Sequence, residues 1–198
     1  GGVNGSIDTK IESVGNGWYR CSVTSIFADS SYFVSVADGI SNVAGTLGAS
    51  LYIQDAQLEA GLVATDYIET GASTAQSGIL EDMPRLDYSG GASCPSLLLE
   101  PQRSNLVTDS ENFLASNWSY AGTYNPNTTL NQAVSPEGVQ NAALIAAAGA
   151  GNDRIQDNLG SQSNNLLYSI FVKSAGNSTR VKLRNSGTSS DARWDVGA

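Results

Sequence analysis

Residues Leu167–Lys173, with the sequence LYSIFVK, decide the fold class of this chain. Successive side chains of a strand point to opposite faces, so Tyr168, Ile170 and Val172 share one face of a strand here. Leu167 and Phe171 lie on the opposite face. A strand that is apolar on both faces is typical of the middle of a sheet covered at least partly on both sides. The stretch therefore predicts a central strand of a β-sandwich.

The rest of the chain has the sequence pattern of an antiparallel β protein. Short runs of aromatic and β-branched residues are interrupted by Gly or Asn about every 8–12 residues. Asn16-Gly17 predicts a hairpin, because a type I′ turn needs positive φ at both central positions. Only Ala142–Ala150 looks helical, and a strand edge or loop suits its Ala and Gly content equally well. The predicted strands are Ile7–Val14, Trp18–Phe27, Ser31–Ala37, Ser50–Leu58, Gln140–Ala146, Arg154–Asn158, Leu166–Ser174, Thr179–Arg184 and Ala192–Val196.

The composition excludes several kinds of catalytic chemistry. The chain has 198 residues, enough for one sandwich-sized domain or two small ones, and contains no histidine. Ser-His-Asp and Cys-His catalysis and His-based zinc sites are therefore excluded. A carboxylate pair of the glycosidase type stays open, but no pair stands out among the nineteen acidic residues. We predict that the chain is not an enzyme and has no catalytic residues.

The balance of acidic and basic residues indicates which partners the chain is unsuited to bind. Ten basic against nineteen acidic residues give a net charge of −9, which argues against binding nucleic acid or anionic membranes. Membrane insertion is not expected either, because no run of about 18 apolar residues occurs. Arg180, Lys182 and Arg184 alternate with apolar residues along one predicted strand. They fit a solvated strand face or, alternatively, an anion-binding stripe.

Residues 71–104 differ in character from the segments on either side. Gly71–Gly78 is small and polar, as linkers are. Met83–Tyr88 and Ser96–Pro101 carry apolar residues that would not be left in water, so we expect short extended segments laid against a domain or a partner chain. Cys21 and Cys94 are far apart in the sequence, and fit two buried free thiols or one disulfide.

Two blocks of sequence carry a family resemblance. The first consists of residues 15–24 (GNGWYRCSVT), 51–61 (LYIQDAQLEAG) and 64–68 (ATDYI). The second consists of residues 84–88 (PRLDY), 94–107 (CPSLLLEPQRSNLV) and 110–113 (SENF), followed by Trp118. These blocks resemble those of bacteriophage tail and virion proteins that carry carbohydrate-binding-module-like (concanavalin A-like) jelly-roll domains.

The resemblance implies an unusual order of the two halves. Residues 1–70 resemble the C-terminal half of the jelly-roll module and residues 105–198 its N-terminal half, with the linker 71–104 between them. Half a sandwich exposes unpaired strand edges and an apolar face. We therefore expect an antiparallel jelly-roll β-sandwich that is either circularly permuted within one chain or completed by a neighbouring copy.

The resemblance also implies a function. It predicts a non-catalytic virion surface or tail-fibre module, located on the virion or outside the cell, for adhesion or recognition of host-surface glycan. The alternative is a purely structural, self-assembling repeat of a fibre or extracellular filament. A weaker third reading is an accessory or catalytic domain of a sugar hydrolase. The expected partners are neighbouring copies and a cell-surface glycan, without nucleic acid or membrane insertion.

The sequence also offers candidate ligand residues. Trp118, Tyr120, Tyr124 and Asn125 lie in a Gly- and Asn-rich stretch, where rings could stack on sugar faces and amides bind hydroxyls. Alternatively, Trp118 is a core residue of an N-terminal strand.

Cofactors are not expected, although a structural calcium ion is common among jelly-roll binding modules. Asp109, Glu111 and Asp191 are candidate calcium ligands, but no spacing singles them out, so no ligand set is assigned.

Overall fold

A computed structural model shows an all-β fold built from antiparallel sheets. The structure describes residues 6–25, 31–37, 47–78, 86–87, 96–97, 102–121, 126–149, 154–160, 162, 165–176, 180–185 and 191–197. Within these ranges, no helix is long and apolar enough to cross a membrane.

The described residues form strands of very different length. In chain order they are β1 (Ser6–Gly15), β2 (Trp18–Ser25), β3 (Ser31–Ala37), β4 (Ser50–Ala60), β5 (Ala75–Ser77), β6 (Leu86–Asp87), β7 (Ser96–Leu97), β8 (Arg103–Asn105), β9 (Trp118–Ala121), β10 (Asn127–Ala133), β11 (Ala142–Ala146), β12 (Arg154–Asn158), β13 (Leu166–Ser174), β14 (Arg180–Asn185) and β15 (Asp191–Asp195).

Two large sheets form the sandwich. The six-stranded sheet has the order β1-β2-β13-β4-β11-β10, and the five-stranded sheet has the order β15-β14-β3-β12-β9. The LYSIFVK strand, β13, lies between β2 and β4 in the middle of the larger sheet, as its two-sided apolarity predicts. The predicted fold class, an all-β antiparallel sandwich, is confirmed, while the jelly-roll order of strands stays a prediction.

Strands from the two ends of the chain alternate within both sheets. In the larger sheet, β13 pairs with β2 and β4, which both come from residues 1–70. In the smaller sheet, β3 comes from residues 1–70 and pairs with β12 and β14. Within the described residues, both segments therefore contribute strands to the same sandwich in one chain.

The core lies between the two sheets. Tyr32 and Tyr168 meet there from opposite sheets, with ring centroids 5.3 Å apart, and both are fully buried. Burying one large apolar side chain contributes about 1.5–3 kcal/mol. Further members of the core are Cys21, Val23, Val34, Val36, Leu51, Ile53, Leu58, Ile145, Ile155, Ile170, Val172, Val181 and Leu183.

The hairpin between β1 and β2 matches its prediction. Asn16 and Gly17 have φ values of 53° and 77°, and Gly15 pairs with Trp18 across the turn. Trp18 is buried, and its indole Nε1 donates to the Val134 carbonyl at 3.0 Å. The Ala-rich stretch that looked helical begins as strand β11, which ends at Ala146.

Residues 71–104 contain short strand pairs. Strand β5 pairs with β8, and β6 pairs with β7. Leu86 and Leu97 are nevertheless 48% and 53% exposed, so the single chain does not cover them. Cys21 is a buried free thiol whose pKa is raised by burial, and Cys94 lies outside the described residues.

Candidate metal centre and outer faces of the sandwich

A β-bulge interrupts strand β4 at Asp55. Gln54 lies opposite Phe171 of β13, and Gln57 lies opposite Ser169, so Asp55 and Ala56 together face one residue of the partner strand. Asp55 has a φ of 56°, a left-handed conformation that Asp adopts more readily than most residues. Bulges of this kind redirect a side chain and often lie next to functional sites.

The bulge also divides the other edge of β4 between two partners. Before the bulge, residues Ser50–Ile53 pair with β11. After it, the Ala56 N–H donates to the Ser110 carbonyl at 3.0 Å, and the Leu106 N–H donates to the Leu58 carbonyl at 2.8 Å. Asp55 therefore lies at the point on this edge where pairing with β11 stops and hydrogen bonding to the segment that follows β8 begins.

Three carboxylates converge at this junction, and we call them the acidic cluster: Asp55, Glu111 and Glu137. One carboxylate oxygen of each lies within 4.8 Å of the others. Glu111 follows the segment that runs along β4, and Glu137 lies in the turn between β10 and β11. Asp55 is 2% exposed at the base of the cluster, while Glu137 is exposed at its mouth.

The acidic cluster fits a hard divalent cation. Oδ1 of Asp55 and Oδ1 of Asn141 are buried and have no hydrogen-bond partner among the described residues. Burial, reinforced by the Glu137 and Glu111 carboxylates, raises the pKa of Asp55 to about 8. Burial and the nearby Glu69 carboxylate raise the pKa of Glu111. An all-oxygen donor set with a desolvated carboxylate at its base matches calcium chemistry.

Neighbouring side chains orient the Glu111 carboxylate. The Asn141 Nδ2 group donates to Oε2 of Glu111 at 3.1 Å, and the Tyr67 hydroxyl donates to Oε1 at 3.4 Å. The Tyr67 hydroxyl also shares a hydrogen bond of 2.6 Å with Oγ of Ser110. Burial raises the pKa of Tyr67, so its hydroxyl keeps its proton and remains a donor. Supporting contacts of this kind are usual around protein metal ligands.

Of the calcium ligands considered from sequence, the structure brings only Glu111 into the acidic cluster. The backbone carbonyl of Asp109 accepts the Trp118 indole N–H at 3.1 Å, and Asp191 lies on β15 in the other sheet. Asp55 and Glu137 were missed because the three acids are far apart in sequence. One signal was present, namely an acid in the middle of the otherwise strand-like run LYIQDAQLEA.

Two of the residues proposed for sugar binding, Trp118 and Tyr120, are placed against the core. Trp118 is 5% exposed and packs on Phe113, with ring centroids 4.9 Å apart. Tyr120 is half-buried, and its hydroxyl donates to the Phe113 carbonyl at 3.3 Å. Trp118 thus occupies the core position that the sequence left open as the alternative. Tyr124 and Asn125 lie outside the described residues, and the sugar-binding role of the set stays a prediction.

The outer face of the six-stranded sheet carries a buried polar network. Arg20 Nη2 donates to Oγ of Ser169 at 3.0 Å, and Gln57 Nε2 donates to Oε1 of Glu59 at 3.0 Å. The Thr65 N–H and hydroxyl both donate to the Glu59 carboxylate, at 3.0 and 2.5 Å. Beside this network, an open cavity of about 220 Å³ lies between strands β1 and β2 and residues 62–64. The Glu59 carboxylate of this face thus accepts its hydrogen bonds from within the chain.

The outer face of the five-stranded sheet has a different character. Val181 and Leu183 point into the core, so their neighbours on β14 point outward. With the outward cations of β12 and β15 they form what we call the cationic face: Arg154, Arg180, Lys182, Arg184 and Arg193. These are five of the ten cations of the chain. Lys182 is 2% exposed, unlike a lysine on a solvated strand face.

Comparisons of this chain with family models, with curated proteins and with solved structures found no match.

Proposed function

We propose that this chain is a non-catalytic β-sandwich module of a virion surface or tail fibre, serving adhesion or recognition of host-surface glycan. The observation that carries the proposal is the burial of the Asp55 carboxylate, which favours a structural over a catalytic role for the acidic cluster. The resemblance of residues 51–61 and 94–107 to phage tail proteins supports the class of module.

The acidic cluster is proposed as a structural calcium site. Asp55 belongs to residues 1–70, whereas Glu111 and Glu137 belong to residues 105–198. A cation held between them would fasten the turn after β10 and the segment after β8 to the bulge of β4. It would also relieve the repulsion among three close carboxylates, which is otherwise reduced only by protonation.

The same geometry bears on the glycosidase alternative. Distance alone does not distinguish a metal site from a glycosidase site, because retaining glycosidases hold their carboxyl groups about 5–5.5 Å apart. Burial favours the metal site, since a general acid or nucleophile has to reach the sugar. Asp55 is 2% exposed, whereas Glu111 is half-buried and Glu137 is exposed. This supports a module that binds without hydrolysing its ligand.

The test of the cation site is calcium titration by calorimetry on the wild type and on Asp55→Asn. We expect one site in the wild type and none in Asp55→Asn. Asp8→Asn, an exposed acid on β1 outside the acidic cluster, is the matched control and should bind like the wild type. Equal calcium binding by Asp55→Asn would remove the assignment.

The test of the binding role is a glycan array probed with the full chain in calcium, with release of reducing sugar measured on every glycan bound. Binding without hydrolysis is expected. Hydrolysis that Asp55→Asn abolishes would overturn the proposal in favour of a sugar hydrolase.

A second candidate function is the self-assembling structural repeat. It is favoured by the exposure of Leu86 and Leu97 on the β6–β7 pair, which a neighbouring copy could cover. Light scattering across a concentration series separates the two candidates. Because both segments pair within one chain, the glycan-binding proposal predicts a monomer at every concentration, whereas open-ended oligomers would favour the structural repeat.

A further inference from the structure

The cavity on the outer face of the six-stranded sheet has a polar side. Ser22 and Thr24 alternate with core residues of β2, so their side chains point to this outer face. In the strand register, Asp8 of β1 lies opposite Thr24, and Lys10 lies opposite Ser22. All four residues line the cavity, which has a volume of about 220 Å³. A carboxylate, an ammonium group and two hydroxyls are therefore brought together by the pairing of β1 with β2.

The other side of the cavity is apolar. Leu62, Val63 and Ala64 line it, together with Leu167 of β13. The side chains of Leu62 and Val63 are 56% and 74% exposed, although they lie next to a cavity that could have buried them. A ligand with an apolar face would remove this surface from water, which favours binding.

Hydrogen bonds hold the apolar side in place at both ends. The Gly61 N–H donates to the Asn165 carbonyl at 2.8 Å. Beyond residues 62–64, the Thr65 N–H donates to Oε1 of Glu59 at 3.0 Å, and Glu59 is 2% exposed. Only three residues lie between these two anchors, so they have little freedom to fold into the cavity. The cavity is therefore preformed, as ligand pockets usually are.

The charged side chains of the cavity are one acid and one base. Oδ1 of Asp8 accepts the Thr9 N–H at 2.8 Å, which orients the carboxylate. Nζ of Lys10 lies 2.6 Å from Oε1 of Glu12, and an ammonium group has further N–H donors for a ligand. An acceptor next to a donor suits hydroxyl groups, which both donate and accept. The net charge of −9 disfavours an anionic ligand.

We propose that this cavity binds one uncharged sugar residue of a glycan. The C–H face of the sugar would lie on Leu62 and Val63, and its hydroxyls would bond to Asp8 and Lys10. This inference rests on the proposed function of glycan recognition and gives that function a site and a ligand class. Pockets that enclose drug-sized ligands measure about 300–1,000 Å³, so this smaller cavity suits a single ring. Because the cavity is open, the rest of the glycan can extend into solvent.

The experiment measures binding of the full chain, in calcium, to immobilised dextran, mannan and galactan, which are uncharged. Hyaluronan is the acidic counterpart. The polar test variant is Asp8→Ala/Lys10→Ala. Its matched control is Arg180→Ala/Asp195→Ala, which removes one base and one acid from the other sheet, where the two groups lie 3.8 Å apart.

A second variant tests the apolar side. Leu62→Ser/Val63→Ser removes it, and Val14→Ser/Leu47→Ser is the matched control. Val14 and Leu47 are 44% and 70% exposed and are not among the residues that line the cavity. Thermal unfolding establishes that all of these variants are folded, which their exposed positions favour.

The expected result is binding of the wild type to at least one uncharged polysaccharide. Affinity should fall at least about tenfold in the polar test variant, because hydrogen bonds to charged groups are lost. It should fall about fivefold in the apolar test variant and less than about twofold in either control. A test variant that binds like the wild type, or a control whose affinity falls equally, would overturn the inference.

Other outcomes separate this inference from the function on which it rests. If both test variants bind glycan like the wild type, glycan recognition stands and the cavity is not its site. If hyaluronan alone binds, glycan recognition again stands and the uncharged ligand is wrong. If neither these polysaccharides nor any glycan of the array binds, both proposals fall. If Leu62→Ser/Val63→Ser instead abolishes self-association in light scattering, the apolar side is a contact between copies and the inference is overturned.

Discussion

The acidic cluster and the cationic face both gather charges of one sign, but on very different scales. In the acidic cluster, carboxylate oxygens of Asp55, Glu111 and Glu137 lie within 4.8 Å of one another around a buried base. The cationic face spreads its five side chains over three strands of an open sheet. The first is small enough for one ion to contact all three carboxylates, whereas the second distributes its charges across the sheet.

On the outer face of the six-stranded sheet, a buried carboxylate accepts its hydrogen bonds from within the chain. There the Glu59 carboxylate accepts three hydrogen bonds, from Gln57 and from the Thr65 N–H and hydroxyl. Arg20 lies in the field of the same carboxylate and donates to Ser169. This region serves as the internal reference for the predictions below.

The largest expected effect is on the pH dependence of stability without cations. Asp55 has a pKa raised from 3.8 to about 8, so between these values the folded chain holds a proton that the unfolded chain has lost. The contribution of Asp55 to the free energy of unfolding is therefore fully present below about pH 4. It is lost as the pH rises towards 8, by up to about 1.4 kcal/mol per pH unit. In EDTA, we expect unfolding in urea to show a loss of up to about 4 kcal/mol between pH 5 and 8.

Asp55→Asn is the control for this pH effect. It should remove the part of the pH dependence that is due to Asp55. The parts due to Glu111 and Asp157 should remain, because burial raises the pKa of both, that of Asp157 to about 7. Stability that rises between pH 5 and 8 in the wild type would contradict the assignment.

The second effect is calcium stabilisation. At a calcium concentration about one hundred times Kd, binding stabilises the folded chain by about 2.7 kcal/mol. For a chain of this size, that corresponds to a rise in Tm of about 5–10 °C relative to EDTA, measured by calorimetry. Asp55→Asn should show no rise, while Asp8→Asn should keep it. A calcium response of equal size in all three proteins would place the cation elsewhere.

The third effect concerns the outer face of the six-stranded sheet, around Glu59. Glu59→Gln replaces an acceptor of three hydrogen bonds by an amide whose NH₂ group would face other donors. Because the site is buried, we expect a loss of about 1–3 kcal/mol in urea unfolding. The calcium response should be unchanged, and a change in it would show that this region and the acidic cluster are coupled.

The smallest effect should come from Arg184→Gln. Removing this charge relieves repulsion with Arg154, so the free energy of unfolding should stay within about 0.5 kcal/mol of the wild type or rise slightly. A stability loss above about 1 kcal/mol would instead show that Arg184 supports the fold.

Much of the fold could be predicted from side-chain alternation, because burial of one or both faces leaves a period of two in the sequence. This worked for β13, and also for β2, β3 and β12, whose bounds match the predicted strands closely. It failed for β10, whose sequence NTTLNQA is polar and which forms an edge of the six-stranded sheet. An edge strand with little buried surface leaves no apolar pattern to detect.

The candidate sites were harder to predict, because they depend on contacts between distant residues. The acidic cluster requires a bulge at Asp55, a segment after β8 and a turn after β10, and no local pattern connects them. Trp118 was considered a ligand residue on its aromatic ring and polar neighbours. Its indole N–H finds a partner in the Asp109 carbonyl, which makes burial acceptable, and this pairing cannot be inferred from composition.

Cys21 gives the molecule a built-in reporter of its own opening. This thiol is fully buried in β2, which is separated from β4 by β13. Burial raises the pKa of the thiol, so little thiolate exists in the closed state. A thiol-specific reagent can modify it only in molecules whose sandwich has separated. The rate of labelling at Cys21 therefore measures how often the two sheets part under native conditions. Followed with and without calcium, that rate shows whether a cation at the β4 bulge acts on the whole sandwich or only on its rim.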